Sequence, residues 1–175
     1  MLLHDFTLMM KTRRIALVLG MYVAAPSVCT SQGVAAVRRD TQTVVFVCEH
    51  GTVKSVVAAT YFNTLAAERH LSVRAVSRGT DLEAAVPSLV RDGLRRDGLT
   101  LGPFTPTAVD VSELRNSLLV VTFDRPGIEA MVAGRVPSMA WNNLPAVSTN
   151  YDIARDSIRS RVRALLDSLA RNRNR

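Results

Sequence analysis

The 175-residue sequence is poor in cysteine, lysine and aromatic residues, and each shortage narrows the range of functions. It has two cysteines, and of its 22 basic residues only Lys11 and Lys54 are lysines. Aromatic residues make up 5% of the chain and do not alternate with basic ones, so the formal net charge of +7 does not indicate nucleic-acid binding. Apolar residues make up 47%, which is enough to bury the core of one compact domain.

The sequence also lacks an apolar run that would span a bilayer comfortably. Instead, basic residues precede a short apolar segment at 15–25, and small and polar residues follow it in PSVCTSQG. We therefore expect residues 1–33 to be a signal peptide, with cleavage near Ser31 or Gly33 and with Met10 as an alternative start. The mature protein is then periplasmic or secreted, without a stable membrane span. It is cytoplasmic if this segment is not a working signal.

Loss of the signal removes Cys29 and leaves Cys48 as the only thiol. Acylation of Cys29 is the alternative to cleavage, although Val28 is branched where lipoprotein signals have a small residue. With one cysteine left, no intramolecular disulfide can form in an oxidising compartment. Cys48 is then either a small apolar residue that ends a buried strand or a reactive group.

The surroundings of Cys48 favour the reactive group. Thr43–Val47 is an apolar, β-branched run that predicts a strand buried on both faces, and Val53–Arg69 has apolar residues at helical spacing. The glycine-bearing loop EHGTVKS joins the two. A strand, a tight loop and a helix start bring unpaired amides to one place, which makes an anion cradle. The positive field there favours a thiolate, which is the nucleophilic form.

The rest of the chain continues the alternation of strands and helices. The predicted elements are a strand at VRAVSRGT, a helix over Ala84–Gly98, a strand at SLLVVTFD, a helix over Arg125–Ala133, a strand at VPSMAW and a helix over Asp152–Ala170. This order predicts an α/β domain over residues 42–170, in which a four-stranded parallel sheet has helices on both faces. The basic tail at 171–175 is expected to fray.

These motifs resemble the low-molecular-weight protein tyrosine phosphatases, whose flavodoxin-like fold is shared with thioredoxin-coupled arsenate reductases. In that family a nucleophilic cysteine follows the first strand; five residues come next, and then an arginine and a serine or threonine. Here the corresponding residues are Cys48, Lys54 and Ser55. The family's second strand commonly ends in Ser-Ala-Gly-Thr, here SRGT, and its third runs into aspartate, here Asp124. The resemblance covers roughly residues 42–169.

The resemblance implies a phosphate-binding loop with Cys48 as the nucleophile and Ser55 as a hydrogen-bond donor to its sulfur. The loop residues that it implies are Glu49, His50, Gly51, Thr52, Val53, Lys54 and Ser55. Gly51 is expected to permit the backbone turn. His50 has no second histidine or cysteine at ligand spacing, so we expect it to lie near the anion rather than bind a metal. No metal or organic cofactor is implied.

Lys54 is the first departure from the family pattern. Arginine grips two phosphoryl oxygens with a planar fork, whereas lysine is a point charge with less geometric control. In a chain so rich in arginine, we interpret Lys54 as selected, for a different oxyanion or a weaker grip. Arg78 replaces the alanine of the family's second turn and could compensate, because this turn lies at the same edge of the sheet. The alternative for Arg78 is a solvated surface residue.

The second departure is the general acid, which the family supplies as an aspartate before proline. Here Leu144 precedes Pro145 and cannot donate a proton. Asp152 is the only carboxylate in that region, although its place at a helix start also suits a capping residue. Asp124 and Glu49 are the other candidates near the mouth. Without an acid, hydrolysis of esters with poor leaving groups would be slower by roughly 10²- to 10⁴-fold.

The function that we expect is cysteine-dependent hydrolysis of a phosphate monoester, with a phosphorylated protein or a small phosphate ester as substrate. Cys48 attacks phosphorus, the loop amides and Lys54 hold the oxygens, and water hydrolyses the thiophosphate intermediate. The second hypothesis is a non-catalytic protein that binds an oxyanion. The third is arsenate reduction, which would need an external thiol because the mature chain keeps one cysteine.

Overall fold

The centre of the structure is a four-stranded sheet in the order β2-β1-β3-β4, in which every pair of neighbours is parallel. The computed structural model describes residues 41–173, so the predicted signal peptide at 1–33 and Cys29 lie outside the described residues. The strands are β1 at Gln42–Cys48, β2 at Val73–Gly79, β3 at Leu119–Thr122 and β4 at Ser138–Ala140. The predicted four-stranded parallel sheet is confirmed.

Five helices in the described residues connect and cover these strands. They are α1 at Lys54–Glu68, α2 at Ser88–Arg96, α3 at Val111–Arg115, α4 at Pro126–Val132 and α5 at Tyr151–Arg173. Between residues 41 and 173, no helix is long and apolar enough to cross a membrane.

The structure differs from the predicted helices in three places. Helix α2 begins at Ser88 rather than Ala84, because Pro87 disfavours a helical conformation of the residue before it. Helix α3 was not predicted, although Asp110 accepts a hydrogen bond from the Glu113 backbone N–H and so caps it. Helix α5 continues to Arg173, three residues into the segment expected to fray.

Both faces of β1 are covered, because Val44 to Val47 have no exposed surface. On one face Phe46 packs against Phe62 of α1, with ring centroids 5.9 Å apart, and α5 completes that layer. On the other face Val45 and Val47 share a smaller core with residues of α3 and α4. This arrangement explains the unbroken apolar run of β1 and confirms the prediction of helices on both faces.

The outer edge of β2 is closed by a side chain. The Asn63 amide group donates to the Ala75 carbonyl at 3.0 Å and accepts from the Ala75 N–H at 2.7 Å. Asn63 of α1 therefore replaces a neighbouring strand at this point, which protects the edge from pairing with another chain.

Asp97, at the end of α2, joins this helix to α1 and α5. Its carboxylate accepts hydrogen bonds from the Tyr61 hydroxyl at 2.7 Å and the Tyr151 hydroxyl at 2.9 Å, and it pairs with Arg155. Burial raises the pKa of Asp97, but the two hydroxyls and the arginine outweigh burial and hold the pKa below its ordinary value of 3.8. The ionised carboxylate is therefore part of the folded structure.

Candidate active site

The carboxyl ends of β1, β2 and β3 meet at one edge of the sheet, where the chain forms a cleft of about 420 Å³. Cys48 pairs with Gly79 of β2 at this edge, and Val47 pairs with Thr122 of β3. The loop after β1, the β3–α4 connection and residues 146–148 line the cleft. Loops at the carboxyl ends of parallel strands commonly form ligand sites in such folds.

Cys48 lies at the cleft with its sulfur in a chain of hydroxyl groups. Its Sγ is 2.9 Å from Ser55 Oγ, and Ser55 Oγ is 2.7 Å from Ser77 Oγ. Ser77 Oγ is also 2.9 Å from the Gly51 carbonyl, and its one hydrogen can be donated either to this carbonyl or to Ser55 Oγ. Cys48 is 6% exposed, yet its sulfur has a polar partner and borders the cleft, so it is not a purely apolar core residue.

Two glycines let the loop after β1 lie directly against the end of β2. Gly51 has φ +68°, and a Cβ atom there would lie 2.8 Å from the Gly79 nitrogen. A Cβ atom on Gly79 would lie 2.7 Å from the Gly51 nitrogen. Both positions therefore require glycine for this close approach. Sequence reasoning singled out Gly51 and missed Gly79, although Gly79 is the glycine of the SRGT turn.

The backbone amides of this loop are not used by the fold. Within residues 41–173, no N–H group from Glu49 to Ser55 donates to a backbone carbonyl in the turns and helix caps. Helix α1 begins at Lys54 after Val53, and no side chain caps it. Amide donors at a loop and a helix start are the groups that bind phosphate and other anions.

The side chain of Lys54 lines the cleft and is held there by residues that follow β3 and β4. Its Nζ donates to Asp124 Oδ2 at 3.0 Å and to the Leu144 carbonyl at 3.5 Å. Asp124 follows β3 and has φ +54°, a left-handed conformation that is uncommon outside glycine but is adopted by aspartate more often than by most residues. The lysine charge is therefore shared with a carboxylate before any ligand arrives.

A second cation, Arg125, lines the same cleft and was missed by sequence reasoning. Its guanidinium pairs with Glu49, the residue after Cys48. The hydrogen bond from Arg125 and then its charge lower the pKa of Glu49, so this carboxyl group is ionised and is a poor proton donor. The only signal in the sequence was the position of Arg125 directly after the aspartate that ends the third strand.

His50 and Glu83 line the cleft on the β2 side, and the buried Thr52 supports Glu83 from below the surface. His50 Nδ1 lies 3.0 Å from the Asp81 carbonyl, so this nitrogen carries the hydrogen. Thr52 donates to Glu83 at 2.8 Å, and His50 Nε2 is 3.9 Å from the same carboxylate. Sequence reasoning did not name Glu83. In the part of the chain that the structure describes, no group of three histidine, cysteine or acidic residues could hold a metal ion.

Arg78 and Asp152, two further predicted site residues, do not line the cleft, and both side chains have other partners. Arg78 donates through Nε and Nη2 to the Glu113 carboxylate, at 2.6 and 2.5 Å. The guanidinium group that was expected to compensate for Lys54 is therefore bound to Glu113 instead. Asp152 is exposed in the first turn of α5, 3.4 Å from Arg155. Nor does Asp152 cap that helix, since Asn150 accepts the backbone hydrogen bond from Ile153.

Comparison with solved structures identifies the fold. YfkJ from Bacillus subtilis superposes with a TM-score of 0.70 at 18% identity over 77% of this chain and 98% of its own. A low-molecular-weight phosphotyrosine phosphatase from Vibrio cholerae O395 gives 0.64 at 16% identity, over 74% and 97%. This chain has the low-molecular-weight phosphatase fold.

The phosphatase fold is shared with arsenate reductases, as the resemblance implied. A thioredoxin-dependent arsenate reductase from Corynebacterium glutamicum gives a TM-score of 0.66 at 21% identity over 78% of this chain. The match spans 65% of that reductase, less than two thirds of its length. No protein-family model matches the sequence, and a search of curated proteins finds no match. The likeness therefore rests on the backbone fold.

Proposed function

We propose that this protein is a cysteine-dependent phosphate monoester hydrolase that acts on a phosphorylated protein or a small phosphate ester. The observation that carries the proposal is the position of Cys48. Its sulfur lies 2.9 Å from the Ser55 hydroxyl, at the floor of a cleft and beside a loop whose amides are free to bind an anion. The fold shared with a phosphotyrosine phosphatase supports the same chemistry.

The reaction takes place in two displacements at phosphorus. The Cys48 thiolate forms a bond to phosphorus while the bond to the ester oxygen breaks, and the leaving oxygen takes the electron pair. The loop amides and Lys54 stabilise the charge on the remaining phosphoryl oxygens. Water then attacks phosphorus, the sulfur–phosphorus bond breaks, and inorganic phosphate and the thiolate are released.

The cleft favours esters whose leaving group needs no proton. Leu144 is a buried apolar residue where the phosphatase family has its acid, Glu49 is held ionised by Arg125, and the Asp124 carboxylate is paired with Lys54. Phenolic leaving groups depart readily as anions, whereas alkoxides require a general acid that contributes roughly 10²- to 10⁴-fold. We therefore propose aryl phosphates, such as phosphotyrosine, as the substrate class.

Turnover of para-nitrophenyl phosphate by the wild type and by Cys48→Ser tests the proposal, beside calorimetric binding of inorganic phosphate to both. We expect the wild type to hydrolyse the ester and the serine variant to bind phosphate without turnover. If the wild type binds phosphate but turns over the ester no faster than Cys48→Ser, the hydrolase hypothesis is wrong. That result would favour a protein that only binds the anion.

The binding protein is the second candidate, and the Lys54–Asp124 pair is the observation that favours it. A cation already paired with a carboxylate at 3.0 Å gives a bound dianion less stabilisation than a free one. Arsenate reduction ranks third. Cys48 is the free cysteine of the described residues, so an external thiol would have to resolve the arsenic–cysteine adduct.

We propose that the protein acts outside the cytoplasm, on the strength of its N-terminal sequence. N-terminal sequencing of protein recovered from the periplasm or medium tests this location. A first residue near Ser31 or Gly33 is the expected result, and an uncleaved Met1 or Met10 in the cytoplasmic fraction would contradict it.

A further inference from the structure

Two consecutive residues after β3 hold both sides of the cysteine loop. Asp124 binds Lys54 at one side, and Arg125 binds Glu49 at the other. The Arg125 side chain is 32% exposed and the Glu49 side chain 51%, so solvent and small solutes reach this pair. Arg125 and Cys48 line the same cleft.

Glu49, the partner of Arg125, binds it with the same kind of group that an anionic ligand would offer. A carboxylate presents two oxygens to a guanidinium in the same planar, two-point manner as a phosphate, arsenate or sulfate group. Glu49 Oε1 contacts Nη2, one of the guanidinium nitrogens that a tetrahedral oxyanion in the cleft would use. Lys54 offers no such fork, and its ammonium is already bound to Asp124 and the Leu144 carbonyl.

We propose that Arg125 is the residue that grips the bound oxyanion through two hydrogen bonds, in place of the loop arginine that Lys54 replaces. The bound oxyanion displaces Glu49 from the guanidinium, so Glu49 acts as a competing internal anion. This inference rests on the anion site of the proposed function. It places the arginine that binds two oxygens of the anion in the β3–α4 connection instead of the cysteine loop.

Binding of inorganic phosphate to proteins that carry Cys48→Ser tests this assignment without turnover. Adding Arg125→Ala is expected to weaken phosphate binding by roughly 10- to 100-fold, the loss typical of hydrogen bonds to a charged group. Arg69→Ala is the matched control. Arg69 pairs with Asp167 at nearly the same exposures, 33% and 54%, but lies at the opposite end of α1, and its loss is expected to leave binding unchanged.

Substitution of Glu49 separates a direct grip from mere neutralisation of the carboxylate. Glu49→Gln alone is expected to tighten phosphate binding by about 2- to 5-fold, because it releases Arg125 from an exposed pair. The double variant Glu49→Gln/Arg125→Ala is expected to bind as weakly as Arg125→Ala. Recovery of the parent affinity in the double variant would show that Arg125 only neutralises Glu49, and would overturn the proposal.

The last experiment introduces an arginine into the cysteine loop of the Arg125→Ala variant. If Arg125 replaces the loop arginine, Lys54→Arg recovers most of the affinity lost in Arg125→Ala, whereas no recovery contradicts this substitution of roles. Phosphate binding that is equal in the parent and Arg125→Ala also overturns the proposal. Because hydrolysis is not a readout here, a wild type that fails to turn over esters would overturn the proposed function and leave these binding results valid.

Discussion

Lys54 Nζ lies 3.0 Å from Asp124 Oδ2, so the cation of the cysteine loop is bound to the second residue after β3. Asp124 also accepts a hydrogen bond from the Asn143 backbone N–H at 3.4 Å. The carboxylate thus joins the cysteine loop to the connection after β4. Any anion that enters the cleft has to share Lys54 with this carboxylate.

Removal of the Asp124 charge is expected to strengthen anion binding. Asp124→Asn, in protein that also carries Cys48→Ser, should bind inorganic phosphate about 2- to 5-fold more tightly, because an exposed ion pair of this kind contributes about 0.2–1 kcal/mol. Isothermal titration calorimetry measures the change. Asp167→Asn, which removes a carboxylate of similar exposure from Arg69, is the control, and weaker binding by Asp124→Asn would contradict the competition.

Loss of the Ser55 hydroxyl is expected to slow the chemistry of Cys48. Ser55 Oγ lies 2.9 Å from the Cys48 sulfur, where the hydroxyl can donate to a thiolate, and a hydrogen bond to a charged group is strong enough to change the rate of alkylation by roughly 10-fold. The rate constant for Cys48 with iodoacetamide at neutral pH is therefore expected to fall by that factor in Ser55→Ala. Ser157→Ala removes a hydroxyl from the surface of α5 and serves as control. Equal rates in Ser55→Ala and wild type would exclude the hydroxyl from this role.

Gly79 lies in β2, and Gly79→Ala is expected to displace the adjacent cysteine loop. The added methyl group would lie 2.7 Å from the Gly51 nitrogen and the His50 carbonyl carbon, so the loop must move away. We expect the free energy of unfolding to fall by about 1–3 kcal/mol and phosphate binding to weaken. Urea unfolding and calorimetry measure both effects. Gly102→Ala, where nothing lies within 4 Å of the new atom, should be neutral, and equal behaviour of the two variants would contradict the packing argument.

The Asp97 carboxylate makes stability depend on pH in the acid range. Because its pKa lies below the ordinary 3.8, it stabilises the fold above that pH, and this stabilisation is lost as the pH falls through the lower, folded-state pKa. Asp97→Asn is expected to lower the free energy of unfolding by about 1–3 kcal/mol at neutral pH, and by less in acid.

Denaturant unfolding of wild type and variant over a pH series measures the Asp97 effect. Asp156→Asn is the matched control, because Asp156 binds the same arginine, Arg155, at 2.8 Å but is 65% exposed. A difference between wild type and Asp97→Asn that does not shrink as the pH falls would rule out the charge as its source.

The fold could be predicted because its signals are local. The apolar run of β1, the helical spacing after it and the glycine turn of β2 each depend on neighbours in the chain. The start of α2 and the whole of α3 were missed, and both have local causes, namely Pro87 ahead of α2 and the Asp110 cap of α3. Those two signals were present in the sequence and were simply outweighed by the apolar pattern.

The cation set of the cleft could not be predicted in the same way, because it depends on contacts between distant residues. Arg78 lies in a turn that borders the cysteine loop, yet Glu113 of α3 takes its guanidinium. Arg125 was assigned only to a helix start, yet it reaches Glu49. Sequence spacing predicts at which edge of the sheet a residue lies. It does not predict which distant residue its charged group will bind.

The contact between Gly51 and Gly79 restricts how this cleft can change over evolution. At their closest approach no side chain separates the loop from β2, so there is no group there to enlarge or trim by single substitutions. Adjustment of the cleft to a larger or differently shaped ligand is therefore expected at the lining side chains away from this contact, at 83, 87, 123–125 and 146–148. New substrate specificities of this scaffold are expected to arise from substitutions at those positions.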